Sequence, residues 1–536
     1  MTAENELISS QIDRAIGVLI ASAAGDALGA GYEFGPPLPP SEKPGFRIGG
    51  LHCFGEAEWT DDTELSVCIA AVAAEEGIRT EAALDSIAQS FLDWGATWSR
   101  DVGAQTGAVL ARATELEGSP SSRLSSAARR HFEGCARGAA GNGALMRTGP
   151  VGIAAIDNRL ETAAAARRIA ELTHADPLAG DSCVLWSEAI RCAVLTEWDS
   201  GEALALADLA SGVDLLPEER RAFWLDAVET ATGADPRRFG VKSVETGYSN
   251  GFTVGALQCA WAAITSVPVP RDDPAGGSFA CQHLQLALEE AVRAGHDTDT
   301  VASVAGALLG ARWGASAVPA QWRRRLYGRG PATGRQSHSE LRSRELVTLA
   351  VLTARGNDDE VGWPSRPYVD YDLPLDGGVV HPADDGVVLG TARPATDNFD
   401  AVVSLCRVGC AEPWAAHVRP EDHVEIWLMD RPESSANPNL AFVIDDGARA
   451  VAAMRDEDQR VWLHCVAAHN RTPVVAARYG MLRGQSAAAA KRDVALALGL
   501  TSQPTATLWE AVDSYAVPEK GPLDEGGGDG GTGNGI

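Results

Sequence analysis

Residues Glu340–Pro367 read ELRSRELVTLAVLTARGNDDEVGWPSRP, and the change of pattern within this stretch divides the chain. ELRSRELVTLAVLTAR places apolar residues three and four apart, the period of an amphipathic helix. GNDDEVGWPSRP then interrupts it with Gly, Asp and Pro, which stop helices and open turns. Working upstream, Ala-rich segments such as LETAAAARRIAELTH and VASVAGALLGARWGA repeat the helical period, and alternating runs of Val, Ile and Tyr are scarce. GRGPATGRQSHS, from Gly328, reads as a loop, and Glu340–Arg355 reads as the last helix of this half. Working downstream, GVVLGTA, FDAVVSLC, HVEIWLM and RVWLHCV read as short strands, with the helical pattern AFVIDDGARAVAAMR set among them. The expected architecture is therefore multidomain: an all-α domain over 1–356, a linker over 357–365 and an α/β domain over 366–516. The Gly-rich acidic segment 517–536 has nothing to bury and is expected to be disordered.

A chain of 536 residues is long enough for more than one core, and 45% hydrophobic with 22% charged residues is an ordinary globular composition. The 45 Lys and Arg against 73 Asp and Glu leave a net charge of −28, which argues against a broad basic face for a nucleic acid backbone. Divalent cations suit such a chain better. The opening MTAENELISSQIDRAIGVLIASAAGD has no cationic region before its apolar run, and Asp26 ends that run too early for a bilayer. The expectation is an intracellular, cytoplasmic protein with no membrane segment. Its 10 cysteines form no CxxC pair and no dense framework, as expected of reduced, mostly buried thiols.

Two acidic tetrapeptides stand out: Thr60-Asp61-Asp62-Thr63 before ELSVCIAAVAAEE, and Asp297-Thr298-Asp299-Thr300 before VASVAGALLGA. Each opens a helix. Capping alone would account for either, because Thr and Asp oxygens accept from first-turn N–H groups and Asp61 to Glu64 has capping-box spacing. The pair asks for more: one acceptor suffices to cap, whereas each start stacks two carboxylates and two hydroxyls whose charges repel without a counter-ion. Oxygen ligands of this kind suit hard divalent cations.

These residues carry a resemblance. GVLIASAAGDALGAGYEF, EWTDDTELSVCIAAVAAE, GNGALMRTGPVGIAA, LTHADPLAGDSCVLWSEAI and AVRAGHDTDTVASVAGALLGARWG resemble, in order, segments of the ADP-ribosylglycohydrolase family over about residues 11–327. The resemblance implies an all-α fold with two Mg²⁺ or Mn²⁺ ions, acting on an ADP-ribosylated substrate. It implies Thr60, Asp61, Asp62, Asp297, Asp299 and Thr300 as metal ligands, and Glu33 as a mobile acidic residue near them. It further implies Gly141, Asn142, Gly143, Met146 and Arg147 in a diphosphate-ribose contact, with His174 lining the ribose or adenine pocket. Asp62 or Glu33 is the expected proton acceptor for a hydrolytic water. His296 departs from the family pattern, standing where Gly usually precedes Asp-x-Asp.

In the second half, Cys465-Val-Ala-Ala-His-Asn-Arg471-Thr472 joins the strand RVWLHC to the helix TPVVAARYGMLRG. A loop between strand end and helix start aims N–H groups at a phosphate and favours a thiolate. This half is similar to the dual-specificity branch of the protein tyrosine phosphatase superfamily over about residues 366–515. The similarity implies Cys465 as nucleophile, Arg471 as phosphate clamp, Thr472 as the hydroxyl assisting the departing thiolate and His464 as the residue preceding the nucleophile. It needs no cofactor. Asp430 is the expected general acid, with Glu433 or Asp422 as alternatives. Ala468 again replaces a usual Gly. The expected function is an ADP-ribosylglycohydrolase fused to a phosphatase acting on a phosphorylated substrate; the rivals are an ADP-ribose reader with a phosphate-sensing domain, and a metal-dependent phosphohydrolase.

Overall fold

The computed structural model describes residues 7–97, 100–135, 138–197, 209–241, 249–331, 339–356, 373–374, 376–406 and 417–516. The expected linker 357–365 and tail 517–536 lie outside the described residues.

The first half is built around two helices, Ser9–Ala30 and Thr298–Trp313, which are buried along almost their whole length. They run antiparallel at backbone contact. A β-carbon at Gly17 would strike the main chain of Gly310, one at Gly25 that of Ala302, and one at Gly29 that of Asp299. Absent side chains at these positions let the main chains touch. The Thr298 hydroxyl donates to the Gly29 carbonyl at 2.9 Å and the Ser22 hydroxyl to that of Ser303 at 3.1 Å, so polar groups along the dry seam are paired. Around this pair lie Asp61–Glu76, Pro177–Leu195, Thr253–Ser266 and the last helix, Ser343–Arg355.

This half is not wholly helical. Tyr327–Gly330 (β1) and Ser339–Arg342 (β2) form a two-stranded antiparallel ribbon, with Tyr327 opposite Arg342. The expected loop thus begins with a strand, and the last helix starts at Ser343 rather than Glu340. Ribbon pairing, which a one-dimensional helical period does not register, overrides the local pattern at Glu340–Arg342.

The second half is a five-stranded sheet. Val379–His381 (β3), Asp384–Gly390 (β4), Ala401–Ser404 (β5), His423–Glu425 (β6) and Val461–His464 (β7) lie in the order β3-β4-β7-β5-β6. Only the β3–β4 pair is antiparallel. The strands β5 and β7 are buried throughout, as in a sheet covered on both faces. Of HVEIWLM only the first three residues pair as a strand. The helices Leu440–Asp456 and Arg471–Leu482 pack on the sheet, and the latter starts directly after the loop that follows β7.

The two halves share a polar and apolar seam. Asp446 accepts from the Ala320 N–H at 2.9 Å, and Asn439 donates to the Trp313 carbonyl at 2.6 Å. Phe279 meets Phe442 edge-on with centroids 5.6 Å apart. Among the described residues no helix is long and apolar enough to cross a membrane.

Candidate functional site

The antiparallel seam brings the carboxyl end of Ser9–Ala30 beside the amino end of Thr298–Trp313, and the start of Asp61–Glu76 completes the cluster. Asp62, whose carboxylate is buried, accepts from the Thr60 hydroxyl at 3.4 Å and from the Thr300 hydroxyl at 3.3 Å, the second across 238 residues of chain. Glu33, Asp297 and Asp299 each offer a carboxylate oxygen within 4.8 Å of one another. All six residues expected as ligands therefore lie at the two adjoining helix starts, and Glu33 joins them.

Capping does not explain the clusters. Neither Thr60 nor Asp297, the two N-cap residues, makes a side-chain cap. The Glu64 carboxylate accepts from the Trp94 indole at 2.6 Å instead of closing a capping box. The cap of the Asp61 helix comes from elsewhere: Asp26, inside the first helix, accepts from the Thr60 N–H at 3.0 Å, the Thr63 N–H at 3.0 Å and the Thr63 hydroxyl at 2.6 Å. Asp26 thereby spares the Asp61 and Asp62 carboxylates from capping. Sequence reasoning missed it, although an Asp within the buried stretch Ile16–Ala30, which carries no other charge, was the available signal.

The cost of this crowding is visible in the acidities. Burial, then repulsion from neighbouring carboxylates, pushes Asp61, Asp62 and Asp299 well above the usual range. The same two causes push Glu33 up to about 8, and burial pushes Asp26 up to about 6 against its hydrogen bonds. One oxygen of Asp62 and one of Glu33 are buried without a hydrogen-bond partner. Orphaned anionic oxygens among hard oxygen donors fit a divalent cation, which satisfies both the lone pairs and the charge.

Asn142 fixes the second acidic start, donating to Asp297 at 2.8 Å and to the Asn250 carbonyl at 2.8 Å. Asn250, another residue the sequence did not announce, donates to the Gly295 carbonyl at 2.9 Å. The His174 ring lies under the Gly141–Gly143 turn; a β-carbon at Gly143 would stand 3.1 Å from its Cε1. Its Nδ1 meets the Thr173 hydroxyl at 2.8 Å, and Thr173 accepts from Arg147 at 2.6 Å. Burial, then the charge of Arg147, holds His174 well below its ordinary pKa, so the ring is neutral. Arg147 itself is fully buried over the Phe91 ring, and its Nε and Nη1 have no hydrogen-bond partner. Met146 is buried with its sulfur 4.0 Å from the Thr300 hydroxyl. His296 adopts φ +62°, the left-handed region that favours Gly, while its N–H and C=O pair with Gly35 and Phe34.

The second centre lies at the carboxyl end of β7, where α/β sheets place their ligands. Cys465 follows β7, and Arg471 and Thr472 open the next helix. Arg471 lies 3.9 Å from Asp430 and donates to the Leu428 carbonyl at 3.3 Å. Its Nε and the Thr472 hydroxyl are buried without a hydrogen-bond partner. Asp430 accepts from Asn470 at 2.9 Å and from the Thr505 hydroxyl at 3.1 Å, which holds it over the loop. The alternatives fall away: Asp422 is buried between Arg419 and Gln459 at 2.6 Å each, and Glu433 is exposed ahead of a short 3-10 turn. Ala468 has φ +53°. Behind the loop, His464 Nδ1 meets the Cys465 carbonyl at 3.2 Å, its Nε2 meets the Ser404 hydroxyl at 2.7 Å, and Ser404 meets His423 Nε2 at 2.8 Å. Burial holds both imidazoles far below their ordinary pKa, to about 4 for His464 and about 3 for His423. Neutral rings give the chain one direction: His423 donates to Ser404, Ser404 to His464, and His464 to the Cys465 carbonyl.

Comparison with known proteins gives the following. The sequence model of the ADP-ribosylglycohydrolase family matches residues 8–356. The human "ADP-ribosylhydrolase ARH3" is 29% identical over 214 residues, 38% of this chain and 57% of that protein, so the match spans little more than half of that relative. The "ADP-ribosyl-[dinitrogen reductase] glycohydrolase" of Rhodospirillum rubrum is 24% identical over 318 residues, 59% of this chain and 90% of that protein. A crystal structure of human DUSP28 aligns with 27% of this chain and 93% of its own, at 19% identity and a TM-score of 0.22.

Proposed function

The chain belongs to the ADP-ribosylglycohydrolase family, and from that premise we propose that its first half is a metal-dependent hydrolase releasing ADP-ribose from a modified protein, nucleic acid or small molecule. The observation that carries this is the convergence of two acidic helix starts whose N-cap residues, Thr60 and Asp297, make no side-chain cap. Thr60, Asp61, Asp62, Asp297, Asp299 and Thr300 hold two Mg²⁺ or Mn²⁺ ions. Bound there, the ions supply charge neutralisation and Lewis acidity toward the ribose diol and water.

The chain's own groups do the rest. His174, neutral, lies beneath the Gly141–Gly143 turn on the ribose side of the ligand. Asn142 keeps Asp297 oriented. Glu33 stands on the loop after the first helix, only part-buried, and takes the proton of the attacking water, while Asp62 is tied by two hydroxyls. The water oxygen bonds to C1″ as the bond to the acceptor breaks, through an oxocarbenium-like state; the acceptor leaves with the bonding pair and takes up the proton that Glu33 received. The test is Asp62→Ala combined with Asp299→Ala: release of ADP-ribose in Mg²⁺ is lost, and full activity in this variant would overturn the reading.

The second half is a cysteine-dependent phosphatase acting on a phosphoprotein or a phosphorylated ADP-ribose-related compound. The supporting observation is the juxtaposition of Cys465, Arg471, Thr472 and Asp430 around one strand–loop–helix unit. The Cys465 thiolate bonds to phosphorus while the P–O bond to the leaving group breaks, and Asp430 gives that oxygen its proton. Water then attacks phosphorus, Asp430 regains a proton, and Thr472 steadies the departing thiolate. Arg471 clamps the phosphoryl oxygens. The described cysteines carry no disulfide, which supports a cytoplasmic setting.

A further inference from the structure

A cavity of about 360 Å³ opens at the seam between the halves, and none of Asp62, Asp299, Cys465 or Arg471 lines it. One wall presents Arg323, Arg324, Arg342 and Arg344, and with them the amino end of the Ser343–Arg355 helix. The other wall adds Val418, Pro420 and Trp427, an apolar surface. Four guanidinium groups face three carboxylates, Glu340, Glu345 and Glu425.

The donors are not all spent. Arg323 is used on the carbonyls of Val318 and Glu425, and Arg344 lies 3.2 Å from Glu425. Arg342 pairs with Glu340 at 2.8 Å. Glu345 accepts from the Arg342 N–H at 2.9 Å. Arg324 differs: its Nη2 meets both oxygens of Glu457 at 2.8 Å, while its Nε and Nη1 are buried without partners, on a side chain only 8% exposed. A buried guanidinium edge with unused donors is costly unless something accepts from it. Guanidinium forks and a helix amino end are the two groups that bind phosphate best.

We propose that this interdomain cavity binds an organic phosphate of mononucleotide size, its phosphate on Arg324 and the helix amino end and its apolar part toward Trp427. His423 lies in the same wall, so an occupant sits at the head of the hydrogen-bonded chain that ends on Cys465.

Hydrogen exchange of the full chain with and without AMP tests this. Protection is expected at Ser343–Val347 and at His423–Trp427, and it is expected to disappear in Arg324→Gln. By calorimetry that variant binds AMP at least tenfold more weakly, inorganic phosphate competes with AMP, and adenosine does not bind the cavity. Glu457→Gln breaks the same ion pair from outside the cavity and retains AMP binding, which separates a binding defect from a folding defect. Protection confined to 141–147 or 465–472, or binding unchanged in Arg324→Gln, would overturn the proposal.

Discussion

The two centres of this chain are assembled in opposite ways. The acidic centre draws on residues from Asp26 to Thr300 and exists only when three helices meet; the cysteine loop is eight consecutive residues between one strand and one helix. Yet both share a detail: His296, next to Asp297, and Ala468, inside the cysteine loop, each occupy a left-handed position, at φ +62° and +53°. The first centre depends on packing at a distance and the second on local backbone shape, so perturbations of each should act through different routes.

The strongest way to break the comparison is to silence one centre. Cys465→Ser should lower phosphate release from p-nitrophenyl phosphate by about 10³-fold or more, because a hydroxyl is a far poorer nucleophile at neutral pH. ADP-ribose release by the same variant should be unchanged; a parallel loss would mean that the centres act as one. Next in size is Asp26→Asn, which touches no expected substrate atom but removes the anionic acceptor from the Thr60 and Thr63 donors. Mn²⁺ affinity measured by calorimetry should fall about 10- to 100-fold, the usual effect of disturbing groups that orient ligands.

A smaller effect follows from the raised acidities. A carboxyl whose pKa is higher in the folded than in the unfolded chain holds its proton longer when folded, so stability is lost as pH rises from about 4 through the folded value. Burial raises Asp26 to about 6, Glu64 to about 7 and, with its acidic neighbours, Glu33 to about 8. Without divalent ions the first half should therefore melt on the order of 5 °C lower at pH 8 than at pH 5, and Mg²⁺ should narrow that gap. An unchanged melting temperature across this range would show that the carboxylates are not crowded in solution. The smallest expected effect is Ala468→Gly, which relieves a positive φ and should stabilise the second half by up to about 1 kcal/mol in urea melts. His296→Gly should gain less, because His tolerates this region better than Ala.

Legibility followed the same division. The strand, cysteine loop and helix of the second centre could be read in order because they are contiguous. The acidic helix starts were also visible, as was the helical period on either side of them. What could not be read was who caps whom: Asp26 serves a helix more than thirty residues away, and Asn250 braces Asp297 from a turn. The β1–β2 ribbon was hidden because residues Glu340–Arg342 continue a helical period that pairing with Tyr327–Arg329 overrules. The His423–Ser404–His464 chain was equally silent, since register across β5, β6 and β7 decides it.

The glycine seam between Ser9–Ala30 and Thr298–Trp313 has a mechanical meaning. Where two helices touch through side chains, the gap between them can be adjusted by changing rotamers. Here main chain rests on main chain, with the Gly29 position against Asp299 itself. The spacing of the acidic centre is thus set as by a gauge block. Warming or repacking its surroundings leaves the gap alone, whereas one methyl group at residue 25 or 29 resets it.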